Sequence, residues 1–177
     1  LGDEPIAEIS RLVIAKATRE TRFVARAVRI DSTVIEADVR YPTDSGLALD
    51  GARQLAREGR RLSAIAVVEP VVDRSRAIGR RLRSLGRALR RRSGDAKAEV
   101  LKLTQECGML LEQSVKQARA AIVAARRSAR GRGARGKLAA AARMEERVER
   151  AEQVCQQIAK RLAGEPITNR LVSLADP

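Results

Sequence analysis

The stretch Lys137-Leu138-Ala139-Ala140-Ala141-Ala142-Arg143-Met144-Glu145-Glu146-Arg147-Val148-Glu149-Arg150-Ala151-Glu152-Gln153-Val154-Cys155-Gln156-Gln157-Ile158-Ala159-Lys160-Arg161-Leu162-Ala163 decides the fold. Ala141, Met144, Val148, Ala151, Cys155, Ile158 and Leu162 recur at alternating spacings of three and four. That is the heptad seam expected of long antiparallel helices. Gly164-Glu165-Pro166 stops the run.

Working outward, the preceding loop Gly131-Arg132-Gly133-Ala134-Arg135-Gly136 separates this helix from a second long one over 96–127. That helix carries Val100, Leu103, Cys107, Leu111, Val115, Ala118, Ile122 and Ala125 on one face. Further upstream, Ile78, Leu82, Leu85 and Leu89 predict a helix over 72–92. It closes at Ser93-Gly94-Asp95, where Gly94 can end one helix and Asp95 can cap the next. A helix over 47–68 packs through Ala52, Leu55, Leu62 and Ile65 and is interrupted by Pro70; Thr43, Asp44 and Ser45 are all competent caps for it. Ile6, Ile9, Val13 and Ala17 predict a short amphipathic helix over 4–22.

Between these helices the period changes. Val28 and Ile30 alternate with Arg29 and Asp31, and Val34, Ile35 and Val39 are β-branched, so 23–39 reads as two short strands about Ser32-Thr33 or as one bent strand. Tyr41-Pro42 cannot continue a central strand. Arg170 to Leu174 predicts a short strand in the tail. The fold class is mainly α: long antiparallel helical hairpins forming a bundle, with a small β-hairpin. The domain reading is an N-terminal helix over 1–23, the hairpin and proline loop over 24–46, a basic helical region over 47–164, and a tail over 165–177.

Composition narrows the function classes. Against 36 Lys and Arg stand 22 Asp and Glu, a formal charge of +14 without a histidine, which favours polyanionic partners, nucleic acid before membrane surfaces. The lack of histidine removes Ser-His and Cys-His catalytic pairs and the usual zinc ligation. Phe23 and Tyr41 are the only aromatic residues, which argues against base-stacking platforms. No Walker-type or dinucleotide-binding glycine motif occurs. No run approaches the roughly 20 apolar residues of a membrane helix, so no membrane partner is expected and the cytoplasm is the expected compartment. Leu1-Gly2-Asp3-Glu4-Pro5 has no signal-peptide character and no methionine, which suggests a start inside a longer reading frame. Cys107 and Cys155 read as reduced core residues on facing helices.

Two features carry candidate chemistry. Asp31 sits at a strand-turn position, where it is either an Asx-type turn residue or a carboxylate able to hold a divalent cation. Glu36 and Asp38 read as solvent-facing strand residues. The second feature is basic. Nine arginines lie between Arg74 and Arg92 without an acid, and Arg126, Arg127, Arg130, Arg132, Arg135 and Lys137 cluster at the glycine loop. Arg80, Arg83, Arg87, Arg91, Arg127, Arg130, Arg132 and Arg135 are the candidate nucleic-acid contacts; such groups position a phosphate chain without reading sequence. A solvated helix face is the alternative for the first run. Self-association through the heptad seam is a further candidate property.

The segment Val28-Arg29-Ile30-Asp31-Ser32-Thr33-Val34-Ile35-Glu36-Ala37-Asp38-Val39-Arg40-Tyr41-Pro42-Thr43-Asp44-Ser45-Gly46-Leu47 resembles a hallmark of bacterial insertion-sequence transposases, the ISNCY-like members of the DDE superfamily. The resemblance continues through Leu55 to Leu62 and returns in Gly164-Glu165-Pro166-Ile167-Thr168-Asn169-Arg170-Leu171-Val172-Ser173-Leu174-Ala175-Asp176-Pro177. It implies a ribonuclease H-like core, with Asp31 as the catalytic, metal-binding first carboxylate of an Asp-Asp-Glu triad and Mg²⁺ or Mn²⁺ as the cofactor of the complete protein. It also implies DNA as partner and the helical region as an insertion after the first strands. The second Asp and the Glu of the triad lie further downstream in that family. None of Glu36, Asp38, Asp44, Asp50 or Asp176 matches them, so this chain is expected to be an inactive fragment that binds no metal tightly. A non-enzymatic, basic helical nucleic-acid-binding protein is the alternative.

Overall fold

The protein is described by a computed structural model that covers residues 3–21, 43–91 and 94–174. The chain divides into two compact units, Leu1–Val39 and Arg40–Pro177. In the first, α1 spans Asp3–Thr21, matching the predicted helix; Ile9 and Val13, read as its packing stripe, stand 62% and 61% exposed. The strands predicted over 23–39, Asp31 included, lie outside the described residues, and no strand occurs among those described.

The second unit is built from α2 (Asp44–Ser63), α3 (Ser75–Leu89), α4 (Asp95–Arg127) and α5 (Ala134–Ala163). These alternate in direction. The start of α2, the end of α3, the start of α4 and the end of α5 meet around Thr43, Leu89, Val100 and Arg161. Successive antiparallel neighbours, joined by short turns after α3 and α4 and by a longer loop after α2, make this an up-down-up-down bundle. At 1.5 Å per residue α4 is about 50 Å long and α2 about 30 Å, so the α4–α5 hairpin projects past the other two helices. The α2–α3 loop covers α4 as far as Ala124, where Glu69 and Pro70 approach Ala120 and Ala121.

Local chemistry explains the helix ends. The Thr43 hydroxyl accepts the Gly46 N–H at 3.0 Å, capping α2. The helix stops at Ser63, short of the predicted Val68, because Val67-Val68-Glu69-Pro70 combines β-branched residues with a proline that disfavours helix before it. Ile65, expected to pack, is therefore 47% exposed, while Ala66 and Val71 of the loop are buried. The next helix begins three residues later than expected, after the Asp73 carboxylate accepts the Ser75 N–H at 2.9 Å. It ends at Leu89, which is exposed rather than packed. Gly94 does not close α3: it holds a right-handed conformation at the start of α4, and Asp95 lies inside the first turn instead of capping it. Gly133 and Gly164 adopt positive φ of 96° and 74°, bounding α5; Gly164 ends it as expected, with Glu165 N–H donating to the Lys160 carbonyl.

The core runs along α4 and α5. Cys107, Leu111, Val115, Ala118, Ile122 and Ala125 face Ala141, Met144, Val148, Ala151 and Ile158. Val154, outside the predicted seam, is fully buried, whereas the seam positions Cys155 and Leu162 are only partly buried against the core. A helix packed on a single partner would bury a strict 3.5-residue repeat, but α5 packs on both α4 and α2, which widens its apolar face. The seam proposed for self-association is thus occupied within the chain. Close approach depends on glycine at two places. The Gly59 position faces Val71 of the loop, and that of Gly108 faces Ile158, where added β-carbons would lie 2.8 and 3.0 Å from the neighbour.

Among its described residues the tail forms no strand. After Gly164 it runs back along α5 and α2, and side-chain amides take the place of a neighbouring strand: Gln157 binds both the N–H and the carbonyl of Leu171, and Gln54 donates to the Leu174 carbonyl at 3.0 Å. Leu174 is buried against Gly51 and Leu111.

Candidate nucleic-acid interface

Where the bundle begins and ends, one carboxylate is enclosed. Asp44, in the first turn of α2, has a side chain only 2% exposed. Arg161 of α5 donates through Nε to its Oδ2, and Nη2 of Arg170 in the tail lies 3.7 Å from its Oδ1. A carboxylate at a helix N-terminus is favoured by the helix dipole, and two guanidinium groups offset its loss of water. The arrangement ties residues 117 and 126 positions apart in the chain. The sequence marks Thr43, Asp44 and Ser45 as competent helix caps but points to neither arginine, because nothing local links Arg161 or Arg170 to Asp44.

The arginines divide by the element that faces them. Arg81, on the side of α3 turned to α4, donates to Glu106 at 2.6 Å. Arg119 of α4 makes two 2.6 Å hydrogen bonds to Glu152 of α5, and Arg126 pairs with Glu145. Arg74 is held by Gln113 and Gln117 of α4. Of the predicted contacts, Arg91 is engaged by Glu99 across the α3–α4 turn. Arg80, Arg83 and Arg87 are exposed, and among the described residues no carboxylate lies within ion-pair distance of them; Arg76 and Arg90 share this state. Their spacings of four and three put all five on one line along α3, opposite Ile78, Leu85 and Ala88.

The second basic group occupies the projecting end of the α4–α5 hairpin. Arg127, Arg130, Arg132 and Arg135 are exposed there, again without a carboxylate partner among the described residues, and Lys137 donates to the Ser128 carbonyl, bracing the turn. The eight predicted contacts therefore form two surfaces, a row on α3 and a cluster at the hairpin end, with Arg91 withdrawn into an ion pair.

Catalytic groups are sparse in this unit. Among the described residues no three His, Cys, Asp or Glu side chains gather into a metal-holding group, and Asp31 lies outside them. Burial pushes the Cys107 thiol up and raises Cys155 to about 12, so neither is a ready thiolate. No described helix is long and apolar enough to cross a membrane. Neither a protein-family model, nor a curated protein, nor a solved structure matches this chain.

Proposed function

We propose that the chain is part of a DNA transposase of the DDE type, in which the helical bundle is an insertion into a ribonuclease H-like core. The observation that carries this reading is the closure at Asp44. A module inserted into another fold must leave close to where it starts, or it would pull the host strands apart. Here Asp44, at the start of the bundle, is bound by Arg161 and Arg170 at its exit, and Gln54 holds Leu174. Two of the segments that carry the transposase resemblance meet there, the end of the first at Thr43 to Ser45 and the tail at Arg170.

In this reading Asp31 is one of three carboxylates, the others lying downstream, and the unpaired arginines hold the phosphate backbone of the DNA. Mg²⁺ or Mn²⁺, held by Asp31 and those carboxylates, would polarise the scissile phosphate and activate the attacking oxygen. A freestanding helical nucleic-acid binder is the second reading, favoured by the unpaired arginines; four alternating helices bring start and exit to one end in either case, and the insertion is preferred because the segments that meet there carry the transposase resemblance.

The test is made on the longest reading frame containing this chain, assayed with Mg²⁺ or Mn²⁺ for nicking of plasmid DNA that carries the flanking ends of its gene. Nicking abolished by Asp31→Asn supports the reading. A reading frame without a downstream Asp and Glu, or nicking indifferent to Asp31→Asn, overturns it.

A further inference from the structure

Two glycines of α3 have no explanation inside the molecule. An interior glycine weakens a helix relative to alanine, a cost that room for a close neighbour can offset. In α2 and α4 that neighbour is internal: Gly51 faces Leu111, Gly59 faces Val71 and Gly108 faces Ile158. Gly79 and Gly86 differ. A β-carbon at Gly86 would meet nothing within 4 Å, and one at Gly79 would meet only the end of the Arg83 side chain, at 3.9 Å. They are seven residues apart, hence on one line, and that line adjoins the row Arg76, Arg80, Arg83, Arg87 and Arg90.

We infer that the outer face of α3 is a docking ridge for the phosphate backbone of duplex DNA, with Gly79 and Gly86 letting one strand lie close to the helix while the arginine row clasps its phosphates. Three observations converge on a polyanion of regular shape. From Arg76 to Arg90 the row extends about 21 Å, with successive arginines on the order of 5 Å apart in rise. A duplex strand offers a phosphate about every 3.4 Å along its axis, so a rigid row of this length can meet several at once. The acids are segregated: α3 contains none from Ser75 to Leu89, and its one inward arginine, Arg81, takes its carboxylate from α4. A merely solvated face would carry both signs, as the outer faces of α4 and α5 do. The absence of stacking aromatics on α3 favours backbone contact over a single-strand platform. For its occupant the inference rests on the transposase reading; the ridge itself rests on the arginine and glycine lines.

The experiment measures binding of the full chain to a fluorescent 25-base-pair duplex of arbitrary sequence by anisotropy, from 50 to 200 mM salt. The triple variant Arg80→Gln/Arg83→Gln/Arg87→Gln should lower the slope of log affinity against log salt by about 2.7, which makes the loss across that range roughly 40-fold smaller than for wild type. Gly79→Ala/Gly86→Ala should raise Tm, because helix propensity improves, yet weaken binding about threefold or more without changing the slope. An unchanged slope in the arginine variant overturns the ridge while leaving a DNA-binding protein, and a slope lost instead in Arg130→Gln/Arg132→Gln/Arg135→Gln assigns the DNA to the hairpin end. Wild-type binding by the glycine variant overturns the close approach. Wild-type chain that binds anionic phosphatidylserine vesicles and not the duplex overturns the inference together with its occupant.

Discussion

Gly59→Ala pits two effects of opposite sign against each other, and the structure decides between them. Position 59 lies inside α2, so alanine should gain about 1 kcal/mol from helix propensity alone. The new methyl, however, would sit 2.8 Å from both Cβ and Cγ2 of Val71 and 3.1 Å from the Val71 backbone nitrogen. Real carbon contacts need roughly 3.5–4 Å, so either the loop or the helix must move by several tenths of an ångström. The loop is poorly placed to give way: the Val72 N–H donates to Gln117, Arg74 binds Gln113 and Gln117, and Val71 is itself 3% exposed. Overpacking of this kind costs about 1–3 kcal/mol. With one contact to backbone the upper half of that range applies, and the net is a destabilisation of about 1–2 kcal/mol. Urea unfolding followed by circular dichroism should show a lower midpoint with an unchanged slope. Val71→Ala, harmful alone because it leaves a gap, should cost less in the Gly59→Ala background, since it removes the Cγ2 contact with the new methyl while the Cβ contact stays; a double-mutant cycle reads this coupling. Gly59→Ala as stable as wild type or more so would refute the packing of the α2–α3 loop described above.

Asp44→Ala should cost about 2–4 kcal/mol, as it strips Arg161 and Arg170 of a buried carboxylate and removes an acid from the first turn of α2. Hydrogen exchange should then rise first in the tail around Leu171 to Leu174; exchange that rises uniformly would contradict the latch. Leu111→Ala, emptying a fully buried site beside Gly51 and Leu174, should cost about 2–5 kcal/mol by thermal or urea unfolding. Asp73 has its carboxyl held below the usual range by its hydrogen bonds to Ser75, so its contribution to stability is present at neutral pH and is lost as pH falls through its lowered folded value. Asp73→Ala should cost about 0.5–1 kcal/mol at pH 7, and that difference should shrink steadily when unfolding is measured at successively lower pH below about 4, the ordinary aspartate value. Cys107 and Cys155 should react with iodoacetamide at pH 8 far more slowly than a free thiol; fast labelling of Cys155 in the native protein would contradict its raised pKa.

Much of the bundle was legible because its signals are local and periodic. The α4 and α5 helices follow from spacings within each segment, and their ends fall within three residues of the expected ones, since Gly133 and Gly164 occupy backbone conformations that other residues resist. The errors cluster where a distant partner overrides a local preference. Ile65 and Leu89 look like core positions yet stand exposed, Ile65 beyond the proline-limited end of α2 and Leu89 at the last residue of α3. Val154 is buried more fully than Cys155 because α2 covers a flank of α5 that a two-helix seam leaves open. The tail reads as a strand by composition, but Gln54, Gln153 and Gln157 satisfy its backbone with side chains.

For the candidate site the sequence by itself determined the inventory: the positive charge, the acid-free arginine runs, the lack of histidine, and the segments around Asp31 and Asp44 that resemble a transposase. Only the tertiary structure decided which arginines remain available. Arg81 and Arg91 belong to the same run as Arg80, Arg83 and Arg87, and what separates them is a glutamate on α4 within hydrogen-bond reach. The same holds for Asp44, one acid among 22 until Arg161 and Arg170 arrive from the far end of the chain. Periodicity and charge sign are written residue by residue, whereas ion pairing depends on a few ångströms between segments that meet only after the helices have packed.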